Sequence, residues 1–204
     1  MVRRVTTGAR ERILDTAARL FNENGVHAVG LQQIIDECGC GKNLLYREFA
    51  SKDDLIAAYL ERCRDDWDVI FEDAIRPFAG DPAAQLVALV SAVAEKATIP
   101  GSRGCALRNT HAEFPDVGHP AHQVAVEHFN LVREALYTLA RRTTASNPRG
   151  LADRIMLIID GLYTNGAMLG RTGAAATAVD FAADVVRAAT NANAARPPAV
   201  GVGV

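Results

Sequence analysis

The chain has 204 residues, of which 49% are hydrophobic and only 6% aromatic, with modest Gly (16) and Pro (8). This suits one domain, or a small head on a larger body, with a real core and a helical lean, and it excludes a mostly disordered chain. A net charge of −2 argues against bulk nucleic-acid binding, yet residues 1–52 hold 8 Lys and Arg against 6 Asp and Glu, while the remainder holds 14 against 18. The result is a slightly basic head on an acidic body.

In chain order, residues 1–8 carry Arg3 and Arg4 without apolar periodicity. They read as a flexible arm that either follows a phosphate backbone or stays idle. From Ala9, the residues Ile13, Ala17, Leu20 and Phe21 recur at helical spacing until Asn24-Gly25, where Gly supplies the residue past a helix end. Leu31, Ile34, Ile35 and Cys38 line a second short helix, Gly39 breaks it, and Asn43 to Phe49 forms a third. Ser51 caps a long connector with Asp53 and Asp54 at its start, running to near Pro77. Asp81-Pro82 opens a helix to about Thr98. Cys105 to Phe114 is a short helix, and Pro120 opens one reaching about Thr143. Leu151 to Leu169 and Ala174 to Thr190 complete the set. No strand pattern or internal repeat is read. The expectation is an all-α chain of about nine helices.

Two short helices around a Gly-centred turn form a helix-turn-helix, whose second helix must bury one side and present the other to DNA. Leu45 and Phe49 form the buried side. Lys42, Asn43, Leu44, Tyr46 and Arg47 are read as outward-facing. Lys42, Tyr46 and Lys52 suit phosphates, Asn43 and Arg47 suit base edges, and Leu44 suits a thymine methyl. Gln32 and Gln33 of the preceding helix join this set. The competing reading is a helical hairpin whose polar face sees only water.

At this point the chain resembles the tetracycline-repressor (TetR) family of regulators. The resemblance covers about residues 10–60 and rests on the run Ile13 to Phe21, on Gly25, and on the intact L-Y-x-x-F-x-S-K piece from Leu45 to Lys52. Departures are Cys38 and Cys40, read as small core residues, Gly41 and Gly30 in place of capping hydroxyls, and Leu44 in place of a polar residue. The segment Gly104 to Phe114 is similar to a run in one TetR subgroup. The resemblance implies a helix-turn-helix head at 9–52, a ligand-binding and dimerisation body at 53–192, and leaves a disordered tail at 193–204. It also implies double-stranded DNA, a small-molecule effector and a second copy of the chain as partners.

For the body, aromatic and polar residues recurring on several helices mark a candidate pocket: Trp67, Phe71, Leu107, Asn109, His111, Phe114, Phe129, Tyr137, Tyr163 and Met168. Each could equally fill core. Helices apolar on more than one side suggest a two-fold four-helix bundle, drawn through Ile155, Ile158, Ile159, Leu162, Val179, Phe181, Val185 and Val186. Gly161 and Gly166 would permit close helix approach.

The function expected is a ligand-responsive transcriptional regulator, a repressor released from a palindromic operator by a small apolar or aromatic effector. The alternatives are a thiol sensor at Cys63 or Cys105, a metal sensor built from His111, Glu113, His119, His122 and His128, and an all-helical enzyme. No phosphate loop, nucleophile elbow or carboxylate pair is found, so no catalytic, cofactor or metal residue is assigned. The four cysteines lack a disulfide-framework spacing, and no secretory leader or apolar run of about 18 residues is read. A reduced, cytoplasmic setting without a membrane span is the expectation.

Overall fold

The computed structural model describes residues 8–191. The arm expected at 1–8, apart from Gly8, and the tail expected at 193–204 lie outside the described residues. Among the described residues the chain folds into nine α-helices without strands: α1 (Ala9–Asn24), α2 (Leu31–Cys38), α3 (Lys42–Glu48), α4 (Lys52–Ile75), α5 (Pro82–Ala97), α6 (Ala106–Glu113), α7 (Pro120–Ala140), α8 (Pro148–Leu169) and α9 (Ala178–Asn191). No described helix is long and apolar enough to cross a membrane.

The helix starts follow side-chain chemistry. The Asp81 carboxylate accepts the Ala84 N–H at 2.9 Å, and the Ser51 hydroxyl accepts that of Asp54 at 3.0 Å, each satisfying an amide that the helix itself leaves open. Asn147 does the same for Gly150 at 2.9 Å ahead of Pro148. This cap starts α8 three residues before the expected Leu151. The expected start of α9 at Ala174 is instead a 3₁₀ turn, Ala174–Thr177, following Gly173.

The chain divides into two compact units, Met1–Asp68 with Cys105–Phe129, and Val69–Gly104 with Asn130–Val204. This is not the division drawn from the sequence. The unit holding the helix-turn-helix also takes the first part of α4, all of α6 and the first part of α7. In it, α1 packs on α2 and α3. Its core includes Ile13, Leu20, Phe21, Ile34, Leu45, Phe49, Leu55, Tyr59 and Leu60.

In the second unit α5 packs on α8 and α9, around buried Leu86, Leu89, Val93, Ile155, Ile159, Leu162 and Val186. Gly166 sets how closely α8 meets α5. A Cβ placed there would lie 2.7 Å from the Ala97 carbonyl oxygen and 2.9 Å from its carbon. Those are backbone atoms with no rotamer to yield, so Gly166→Val is expected to destabilise the unit by about 1–3 kcal/mol. Thermal unfolding would show it as a lowered midpoint.

Candidate nucleic-acid interface

The recognition turn is set by backbone chemistry. Gly39 ends α2 in the left-handed region (φ 63°), and its N–H caps the Ile35 carbonyl, a conformation that side chains disfavour. The Cys40 N–H donates to the same carbonyl at 3.2 Å. Gly41 then precedes α3 without a side-chain cap.

From this turn α3 buries Leu45, followed by Phe49, in the core. Lys42, Asn43, Tyr46 and Arg47 are exposed. Seven residues are too few to hold a helix by local bonds, so these two apolar anchors hold α3 in place. The Lys42 ammonium lies 5.9 Å from the Tyr46 ring centre. Arg47 donates to the Glu48 carboxylate through Nε at 3.2 Å and Nη2 at 3.1 Å. Glu48 is half-buried but Arg47 itself is exposed, and a pair with one solvated member is easily exchanged for a ligand. Gln32 and Gln33 are exposed on α2, donating to Asp36 at 2.8 Å and Glu37 at 3.3 Å.

Two expectations need correction. Leu44 is not fully outward-facing: it is half-buried against the head core, next to the buried anchor Leu45, where an apolar side chain gains by leaving water. Cys38 and Cys40 are not simple core residues: their sulfurs are bonded to each other. Lys52 is half-buried, and burial pulls its ammonium below the usual lysine range, opposed by the nearby charges of Glu113 and Asp53.

A feature without a sequence-level signal closes the unit. The Glu113 carboxylate, at the end of α6, accepts the backbone N–H of Val26 at 3.0 Å and of His27 at 2.6 Å. Its own carbonyl meets His27 Nε2 at 2.8 Å. Gly25, at φ 89°, makes room, since a Cβ there would sit 3.0 Å from the carboxylate. The turn after α1 is thereby tied to α6. Around it the His rings stack: His119 on Phe114 at 4.1 Å, His27 on Phe114 at 4.5 Å, and His111 on His122 at 4.4 Å. Among the described residues no group of three or more His, Cys, Asp or Glu is placed to hold a metal.

The ligand-site candidates fall in both units. Leu107 and Phe114 fill the first unit's core, with Phe129 packed against it. Asn109 and His111 are half-buried in that unit, and Trp67 is buried edge-on to His128, 6.0 Å between ring centres. Burial first, then Arg64, lowers the His128 imidazole below its ordinary value, against Asp68. In the second unit Phe71 and Tyr163 are half-buried, Tyr137 lies under the Arg149 guanidinium at 4.1 Å, and Met168 is 70% exposed. Sequence reasoning missed Gln85. Its Nε2 donates to the Ile75 carbonyl at 3.1 Å, while its buried Oε1 has no hydrogen-bond partner.

The dimer candidates also split. Ile155, Ile159, Leu162 and Val186 are buried inside their own unit, Ile158, Val179 and Val185 are half-buried, and Phe181 is 58% exposed. Because α8 is apolar on two sides, periodicity alone could not say which side turns inward. The outward side is a groove of about 620 Å³ lined by Leu157, Ile158, Gly161, Phe181 and Val185 among others. Leu157, 70% exposed, was not anticipated.

Comparison with known proteins agrees with this geometry. Residues 13–59 match the family of bacterial regulatory proteins described as tetR family. The head is of the TetR type. The uncharacterized HTH-type transcriptional regulator Rv1255c of Mycobacterium tuberculosis is 41% identical over 59 residues, 29% of each chain. YxaF of Bacillus subtilis, likewise an uncharacterized HTH-type regulator, is 54% identical over 41 residues, 20% of this chain and 22% of that one. These matches thus span under a third of the curated relatives' length. The crystal structure of SCO4454, a TetR-family transcriptional regulator from Streptomyces coelicolor, is similar throughout. It has a TM-score of 0.84 at 28% identity and covers 89% of this chain and 96% of that one. The helix-turn-helix of α2 and α3 is therefore a TetR-type head.

Proposed function

We propose that this protein with a TetR-type head is a two-fold DNA-binding repressor, released from a near-palindromic operator by a small apolar or aromatic effector. The observation that carries the DNA reading is α3 itself. Its apolar anchors are buried, and Lys42, Asn43, Tyr46 and Arg47 stand exposed together on its open side. Cationic and hydroxyl groups fix register on phosphates, and a guanidinium reads guanine edges. The groove on α8 and α9 is the face for a second copy, which would set two recognition helices about 34–36 Å apart or somewhat more. The unsatisfied Gln85 carbonyl is a buried acceptor that an effector's donor could satisfy. To release DNA, that effector must favour the non-binding state over the binding one.

The test is duplex titration with variants. Tyr46→Phe is expected to weaken binding to all sequences alike. Lys52→Ala is expected to do so and also reduce the salt slope by about one unit. Arg47→Ala should cost about 1–3 kcal/mol at one operator position and relax preference there. An unchanged preferred site in Arg47→Ala would remove that side chain from base reading.

A further inference from the structure

We propose that Cys38 and Cys40 form a reversible thiol–disulfide exchange site in the recognition turn, oxidised by low-molecular-weight disulfides, whose closure tightens the head on DNA. The second half rests on the DNA-binding reading above.

The turn holds the two cysteines ready for the bond. Their Cα atoms are 5.3 Å apart, inside the range that a disulfide spans without backbone movement. That separation is imposed by the left-handed Gly39 between them and by two amides, those of Gly39 and Cys40, sharing the Ile35 carbonyl. These backbone bonds involve neither sulfur, so opening the disulfide does not itself break them and little rearrangement is required.

The site is also reachable. Gly39 and Gly41 are exposed, and a Cβ built on either would meet nothing within 4 Å. The cysteines are half-buried, so a small disulfide can approach from the bare side of the turn. The sensor expected at Cys63 is in the opposite situation. Burial pushes its thiol up to about 12, with the Tyr59 hydroxyl bonded to it and acting against that rise, and so protonated a sulfur is a poor nucleophile.

The chemistry balances. One cysteine thiolate attacks a sulfur of the small disulfide, forming a mixed disulfide and expelling one thiolate. The second cysteine attacks the bonded cysteine sulfur, closes the Cys38–Cys40 bond and expels the other thiolate. The two protons lost by the cysteine thiols are taken up, through solvent, by the two expelled thiolates, so the protein is oxidised by two electrons and the small disulfide is reduced to two thiols. In a reducing compartment such a bond is transient and reports redox state, rather than being structural. α3 starts two residues after Cys40. Closure therefore ties the end of α2 to the approach of the DNA-facing helix and reduces what docking must order.

The full chain is equilibrated with glutathione disulfide or with dithiothreitol, trapped with N-ethylmaleimide and mapped by mass spectrometry. Each form is then titrated with its selected duplex. The expected peptide holding Cys38 and Cys40 is unlabelled and lighter by two hydrogen atoms after oxidation. The oxidised protein is expected to bind about three- to tenfold more tightly. That difference should disappear in Cys38→Ala/Cys40→Val and persist in Cys63→Ala. Both cysteines labelled after oxidation, equal affinity in the two states, or a difference surviving in the double variant would overturn the proposal. A closed disulfide with no duplex binding in either state would support the exchange site and overturn the DNA-binding reading.

Discussion

Replacing Leu157 and Phe181 together with Asp is expected to yield a folded monomer whose operator affinity is at least about a hundredfold lower than that of the dimer. Both side chains are largely exposed and line the apolar groove on α8 and α9. Substituting exposed residues costs the unit itself little, within about 0.5 kcal/mol. At a two-fold interface the same two changes place four carboxylates in one desolvated patch, where unpaired charge is strongly unfavourable. Losing the partner removes the tether that makes the second half-site contact intramolecular, an advantage of about 10²–10⁴. Sedimentation and duplex titration of the same sample check both halves. Val117→Asp, at an exposed apolar residue outside the groove, should leave both unchanged. A double variant that still sediments as a dimer would place the interface elsewhere.

Phe49→Ala is expected to be the most destabilising single change in the head, by about 3–5 kcal/mol. Phe49 is 1% exposed, and the Arg10 guanidinium lies over its ring at 4.1 Å. Arg10 also donates to the Glu48 carbonyl at 2.5 Å, so one side chain of α1 secures the end of α3. Truncating the ring leaves a cavity under a seven-residue helix that cannot stand alone. Duplex binding should fall with stability in this variant. In Arg47→Ala, by contrast, binding should change while the melting temperature holds, because Arg47 is exposed and paired only at the surface. Equal melting temperatures for Phe49→Ala and the parent would contradict the account of how α3 is held.

Much of the local architecture was legible in the sequence. Asp81-Pro82, Ser51 with two following acids, and Gly25 after an amphipathic run each act through neighbours a few residues away, and each starts or stops a helix as read. The Asn147-Pro148 start uses the same chemistry but is masked in the sequence, because apolar periodicity begins only at Leu151. What was not legible depends on distant partners. Glu113 binds a turn 86 and 87 residues away, although the segment carrying it had been singled out. The inward and outward sides of α8 are both apolar, so only packing against α5 separates Ile155 and Ile159 from Leu157. The Cys38–Cys40 bond arises from a two-residue spacing that signals nothing until the left-handed Gly39 folds it back. The exposure of most α3 side chains was recoverable because a short helix docked on a core must alternate anchors and exposed groups. Leu44 is the exception, an apolar side chain half-drawn into the core.

The TetR-type head is expected to read DNA as one half of a two-fold dimer. Selection of bound sites from random duplex DNA by the full chain, at near-physiological salt, tests it most directly. The account predicts a two-fold symmetric consensus with half-sites about one helical turn apart or somewhat more. Retention of duplexes with no shared sequence, or of none, would contradict it.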